Sequence, residues 1–181
     1  NLEEINNKIH VVVMSGGSGS RLWPSSRASL PKQFIKLPNG TTLFGNTIKR
    51  VTLNQRLQFT IISNKTHDYL CRRELSKQEK RATYIFEEEG RNTASAILTS
   101  ALNASADDIL LILPADHWIS DNKAFNKIIQ TGLKIASSKN CWVTFGIKPN
   151  EPETGYGYIK ATGEGESRKV QHFKEKPDTK T

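Results

Sequence analysis

The sequence predicts an α/β fold, a mostly parallel sheet flanked by helices with a β-rich excursion near the C-terminus, and three observations carry that prediction. Short apolar runs alternate with longer stretches of helical period, the pattern of a parallel sheet covered by helices. Two of the runs, Val11-Val12-Val13-Met14 and Ile109-Leu110-Leu111-Ile112-Leu113, lack polar alternation, as strands buried on both faces do. Beyond Gly146 the pattern changes to Gly155-Tyr156-Gly157-Tyr158 and short alternating segments.

In chain order, apolar runs place strands at Ile9 to Met14, Leu57 to Ser63, Ala82 to Glu87, Asp108 to Leu113 and Cys141 to Gly146. Helical period between them places helices at Thr41 to Leu53, Thr66 to Lys80, Asn92 to Ala104 and Asp121 to Ser138. Alternation near Tyr158 to Ala161 and Arg168 to Lys174 gives two further strands. The closing residues, Pro177-Asp178-Thr179-Lys180-Thr181, read as a loop cut short. One domain over 1–181, left incomplete at its C-terminal end, is the expectation.

Composition narrows the class. The chain has 181 residues, 36% apolar and 24% charged, enough to bury a core without disulfides or structural metal. No run approaches the roughly 20 apolar residues of a membrane helix. Asn1 to Lys8 lack the order of a secretory signal, so a cytoplasmic location is expected, although no initiator Met is present. Cys71 and Cys141 are far apart with no CxxC, and two thiols are expected. The net charge of +8 suits phosphates in general. Its densest run, Arg72-Arg73 to Lys77, Lys80 and Arg81, is interspersed with Glu74 and Glu79 and reads as a solvated helix face. No RRM, KH, zinc-finger or helix-turn-helix signature accompanies it, so no nucleic-acid or membrane partner is expected.

The first strand runs into Ser15-Gly16-Gly17-Ser18-Gly19-Ser20-Arg21. Glycines can turn the chain sharply and aim successive N–H groups outward as a phosphate nest. The serines add hydroxyls, and Arg21 adds a planar cation suited to phosphate. An ordinary glycine-rich turn is the rival reading. A Walker loop needs Lys-Ser or Lys-Thr where Ser20-Arg21 stands, and a dinucleotide fingerprint needs glycine where Leu22 stands. Neither fits.

The whole stretch Gly16 to Phe34, GGSGSRLWPSSRASLPKQF, resembles the signature of the sugar-1-phosphate nucleotidyltransferases, and more narrowly that of the mannose-1-phosphate guanylyltransferases. Ser20 stands where that signature usually has Thr. The resemblance implies the nucleotide-diphospho-sugar transferase fold, with Rossmann-like topology. It also implies that Lys32, otherwise a surface lysine, serves the reacting phosphates.

Other segments take a second meaning from it. Arg91-Asn92 opens a helix, where Asn92 can be an N-cap or meet a ligand. The resemblance places Gly90, Arg91 and Asn92 near guanine and ribose, although Glu88 and Ser95 replace usual prolines. Pro114-Ala115-Asp116-His117 ends a strand, so Asp116 either caps the next segment or holds a hard metal ion at the ligand-binding end of the sheet. The resemblance assigns Asp116 to Mg²⁺ and groups Pro114 with the nucleotide residues; His117 is read as structural. Thr154, Gly155, Tyr156 and Gly157 make either a tight hairpin or a wall for a sugar ring. Glu175-Lys176 reads alone as a surface pair. The resemblance carries all six to the sugar and its phosphate.

The reaction it implies is attack by mannose 1-phosphate on the α-phosphorus of GTP, giving GDP-mannose and pyrophosphate. The nucleophile is already anionic, which agrees with the lack of any Ser/His/Asp or Cys/His arrangement in the motifs. Arg21, Lys32 and Asp116 are the expected catalytic residues, GTP and mannose 1-phosphate the partners, and Mg²⁺ the cofactor. Another nucleotide and hexose phosphate, or a nucleotide-binding fragment without turnover, are the competing readings. The family's chain continues past Glu-Lys-Pro and brings a second metal carboxylate. Oligomeric state, self-association included, is left open.

Overall fold

The computed structural model describes residues 5, 7–17, 24–53, 57–87 and 93–178, which divide between two compact units, Asn1–Trp142 and Val143–Thr181. In the first unit, β1 (Ile9–Ser15), β2 (Leu57–Asn64), β3 (Ala82–Glu87) and β4 (Ile109–Pro114) form one sheet in the order β3-β2-β1-β4. Every pairing is parallel. Four helices connect or follow the strands: α1 (Leu43–Arg50), α2 (Asp68–Ser76), α3 (Thr93–Leu102) and α4 (Asn122–Lys139). The predicted mostly parallel, helix-flanked sheet is therefore present.

Side-chain direction alternates along each strand and sorts the core into two layers. Ile9, Val11 and Val13 of β1 pack with Phe59, Ile61, Leu111 and Leu113, under Phe44 and Ile48 of α1, Leu75 of α2 and Ile129 and Leu133 of α4. Val12 and Ile62 face the other way, onto Ala96 of α3. Burying a Val or Ile side chain completely contributes about 1.5–3 kcal/mol, so the 0% exposure of Val11, Val12 and Val13 explains why β1 carries no polar residue between them.

Capping chemistry sets the helix ends. The Thr42 hydroxyl accepts from Gly45 N–H at 2.9 Å and starts α1; the Asp121 carboxylate accepts from Ala124 N–H at 2.9 Å and starts α4. Asn140 closes α4 in the left-handed conformation, φ 45°. Thr42 in turn donates to the buried Glu74 carboxylate at 2.8 Å, and Lys77 reaches the same carboxylate at 2.6 Å. The expectation of a solvated face thus holds for half-exposed Lys77 but not for Glu74. Arg72, also half exposed, stacks over Tyr84, with its guanidinium carbon 4.2 Å from the ring centroid.

One predicted strand is corrected. Cys141 to Gly146 runs without strand pairing, and Trp142 is 91% exposed. Apolar composition suits a strand, but a strand exists only where a neighbour takes its N–H and C=O groups, and no described residue does so here. The two cysteines are free, Cys71 buried and Cys141 exposed. No helix among the described residues is long and apolar enough to cross a membrane.

In the second unit, β5 (Gly157–Thr162) and β6 (Lys169–Glu175) pair antiparallel, with a register irregularity between Lys160 and Ala161. The two alternating segments expected after Tyr156 are these strands.

Candidate active site

The chain builds β1, β2 and β3 outward on one side, then crosses back to lay β4 on the other side of β1. That reversal opens a crevice beyond the carboxyl ends of β1 and β4, the place where open α/β sheets bind ligands. Ser15 ends β1 there, and Pro114 ends β4 beside Met14.

Gly16 and Gly17 follow β1 and are exposed; Gly17 would admit a Cβ without touching anything described. Ser15 is different. It is 2% exposed, and its hydroxyl accepts from the Gln33 side-chain amide at 3.0 Å, so that group supports the loop from behind. Gln33 also donates to the carbonyls of Ser15 at 3.1 Å and Gly17 at 3.2 Å. These three bonds tie the start of the loop to the buried Gln33 side chain. The motif match included Gln33 but gave it no task. Its position inside Pro-Lys-Gln-Phe was the signal.

Gln33 sits in a 3-10 turn, Lys32–Phe34, whose Phe34 packs against Phe44 with centroids 5.0 Å apart. The turn sends neighbouring side chains in different directions, Gln33 inward to the loop and Lys32 outward. Lys32 Nζ lies 3.5 Å from Asp116 Oδ2, across 84 positions of sequence. Both side chains are partly exposed, 36% and 45%. The segment before the turn is held too, because the His67 ring contacts the Ala28 carbonyl at 2.9 Å.

Two of the expected catalytic residues are therefore brought together at the switch point. Ser18, Gly19, Ser20 and Arg21 lie outside the described residues, and so do Gly90, Arg91 and Asn92. His117 Nε2 stands 4.0 Å from Asp116 Oδ1, with the ring largely exposed. A groove lined by His10, Thr60, Thr83 and Asn103 opens at the opposite strand ends and contains none of the expected residues.

Within the second unit, Gly157 pairs with Glu175 in the hairpin register. A Cβ on Gly157 would meet the Phe173 ring and come 2.8 Å from the Glu175 carboxylate, so any larger residue there would have to displace these two exposed side chains. Lys176 takes a positive φ of 43° and donates its N–H to the Tyr156 carbonyl at 3.0 Å, with its ammonium 3.8 Å from Glu175. Tyr158 closes the preceding turn: its hydroxyl accepts from Glu153 N–H at 2.8 Å and donates to the Glu153 carbonyl at 3.0 Å. Thr154, Gly155 and Tyr156 are exposed around it. Five of the six sugar-phosphate candidates, Gly155 to Gly157 with Glu175 and Lys176, thus gather at one end of the hairpin beside Thr154.

Comparison with known proteins decides the family. The Nucleotidyl transferase family matches residues 10–181. The chain belongs to it. The chain is 45% identical over 176 residues to the alginate biosynthesis protein AlgA of Pseudomonas aeruginosa, covering 92% of this chain and 36% of that protein. It is 40% identical over 187 residues to the mannose-1-phosphate guanylyltransferase of Escherichia coli K12, covering 97% of this chain and 39% of that one. The chain therefore spans little more than a third of the length of these curated relatives. Among solved structures, one described as mannose-6-phosphate isomerase from Helicobacter pylori superposes with a TM-score of 0.79 at 31% identity, covering 96% of this chain and 62% of that one. That structure carries the same fold, and the resemblance read from Gly16 to Phe34 is confirmed at the level of the family.

Proposed function

We propose that this chain contributes to transfer of GMP from GTP to mannose 1-phosphate, with release of pyrophosphate. The observation that carries the reading is the meeting of Lys32 with Asp116 at the β1/β4 switch point, next to the glycine loop. Similarity to mannose-1-phosphate guanylyltransferases supports the choice of nucleotide and sugar. A cytoplasmic setting, where GTP is available, belongs to the same reading.

In the proposed step, a phosphate oxygen of mannose 1-phosphate forms a bond to the α-phosphorus of GTP while the bond from that phosphorus to the bridging oxygen breaks. The leaving group is pyrophosphate. The protein's tasks are to hold two polyanions in line and to stabilise charge that builds on bridging and leaving oxygens. The glycine loop, held at its start by Gln33, would bind the triphosphate together with Arg21. Lys32 would set its ammonium against the reacting phosphates. Gly90, Arg91 and Asn92 would meet the base and ribose, and the residues around Gly157 and Glu175 the sugar.

One carboxylate, Asp116, supplies the hard oxygen that a divalent cation would take in this reading. Among the described residues no group of three or more His, Cys, Asp or Glu could hold a metal, whereas Mg²⁺ commonly takes one or two carboxylates and completes its shell with phosphate and water. Asp116 would hold it, and when bound it would neutralise phosphate charge as a Lewis acid.

The test is pyrophosphate release by the full-length protein from GTP plus mannose 1-phosphate, run beside UTP, dTTP and ATP. Release with GTP exceeding the others by at least tenfold is expected. Equal rates with all four nucleotides, or none with mannose 1-phosphate, would remove the proposal.

A further inference from the structure

We infer that Arg50 is a positioning residue for Asp116, a role that rests on the functional reading above and that no motif in the sequence suggested. Asp116 lies in a turn fixed from both sides. On one side Ala115 N–H donates to the Met14 carbonyl of β1 at 2.9 Å. On the other, Arg50 Nη2 donates to the His117 carbonyl at 3.2 Å. The residues on either side of Asp116 are thereby tied to two different elements, Ala115 to β1 and His117 to the end of α1.

The way Arg50 is held makes it a rigid anchor. Its guanidinium carbon lies 5.4 Å from the centroid of the Phe125 ring on α4. Its own carbonyl accepts from Asn126 Nδ2 at 2.7 Å, and Asn126 Oδ1 accepts from Thr52 N–H at 3.0 Å. Asn126 therefore satisfies groups at the end of α1 while Phe125 fixes the side chain that leaves it. The 116–117 turn, α1 and α4 meet at this one residue.

Stability alone is a poor reason for this arrangement. Arg50 is 4% exposed, yet no carboxylate among the described residues lies within ion-pair distance of it, and its Nε has no hydrogen-bond partner. Burial pulls the guanidinium below its ordinary pKa by desolvation. An apolar side chain of similar length would fill the same space without that penalty. What an apolar chain cannot do is hold the His117 carbonyl, and through it the direction in which Asp116 presents its oxygens. A planar, multi-donor cation is suited to stacking on a ring and bonding a carbonyl together.

The test uses Arg50→Met and Arg50→Lys in the full-length protein. Hydrogen exchange should quicken at least tenfold in Arg50→Met at the Ala115 amide, which bonds the Met14 carbonyl, while the amides within β1 and β4 keep their protection. The Mg²⁺ concentration for half-maximal pyrophosphate release should rise at least fivefold, with thermal midpoint unchanged within a few degrees and Arg50→Lys intermediate. In an Asp116→Asn background, Arg50→Met should cost less than a further twofold. Unchanged exchange at the Ala115 amide together with an unchanged Mg²⁺ response would overturn the inference. Losses that follow the thermal midpoint alone and remain fully additive with Asp116→Asn would do the same. If Arg50→Met does not fold, Arg50→Lys carries the same comparisons. Wild-type turnover in Asp116→Asn alone would instead sink the functional reading, leaving the exchange result to judge the tether.

Discussion

Lys32 Nζ and Asp116 Oδ2 face each other at 3.5 Å from two chain segments that only the sheet topology brings together. A half-exposed ion pair of this length contributes little to folding, within about 1 kcal/mol, so the pairing has a weak structural rationale. Its value in the proposed reaction is to hold a cation and a carboxylate where the nucleoside triphosphate and the sugar phosphate would meet. Lys32→Ala and Asp116→Ala are expected to lower turnover by about 10²-fold or more, by analogy with loss of one group that stabilises transition-state charge. The thermal midpoint should hardly move. Steady-state pyrophosphate release together with calorimetry checks both halves of the statement.

Gln33 supports the glycine loop through a side chain that is 2% exposed. Replacing it with Leu removes the donor and leaves the carbonyls of Ser15 and Gly17 less well paired, at a cost of about 1–3 kcal/mol for a buried group left unsatisfied. Gln33→Glu should be worse, because it sets a carboxylate against the same oxygens. In both variants KM for GTP should rise at least tenfold, with KM for mannose 1-phosphate changed less than threefold. Equal rises in both constants would show that the loop is not the part disturbed.

The strands were legible in the sequence because each carries its own apolar signal, as β1 does in Val11 to Val13. Helix ends were legible only roughly, since they depend on single caps such as Thr42 and Asp121. Cys141 to Gly146 was misread because a strand also needs a partner that composition does not supply. Asp116 was found by its motif and its place at a strand end. Its approach to Lys32 was not, because no spacing rule links positions 84 apart. The inward role of Gln33 and the burial of Glu74 and Arg50 were hidden for a related reason. A polar letter in the sequence reads as surface until the three-dimensional partners are known.

Gly157 gives a prediction for the hairpin. Gly157→Ala would push the exposed Phe173 ring and Glu175 carboxylate out of their places beside it. The expected result is a rise of at least tenfold in KM for mannose 1-phosphate, with KM for GTP within threefold of wild type. A wild-type constant for the sugar phosphate would remove this residue, and the approach of Glu175 to it, from the proposed sugar site.

Cys71 supplies a pH test that is independent of function. Its thiol is fully buried, and desolvation is the main reason its pKa is pushed up to about 11 from 9.0, against a hydrogen bond with Ser63 that acts the other way. The unfolded chain releases this proton near pH 9, while the folded chain keeps it until about pH 11. Over that interval the unfolded state binds fewer protons, so stability falls as pH rises, and the contribution is complete below pH 9. The full difference is about 2–3 kcal/mol at one pKa unit per 1.36 kcal/mol. Urea unfolding at pH 8, 9 and 10 should show a steeper alkaline decline in the wild type than in Cys71→Ala, whose overall stability is lower. At pH 8 a thiol reagent should label Cys141 rapidly and Cys71 only as fast as the protein opens, and parallel pH slopes in the two proteins would refute the assignment.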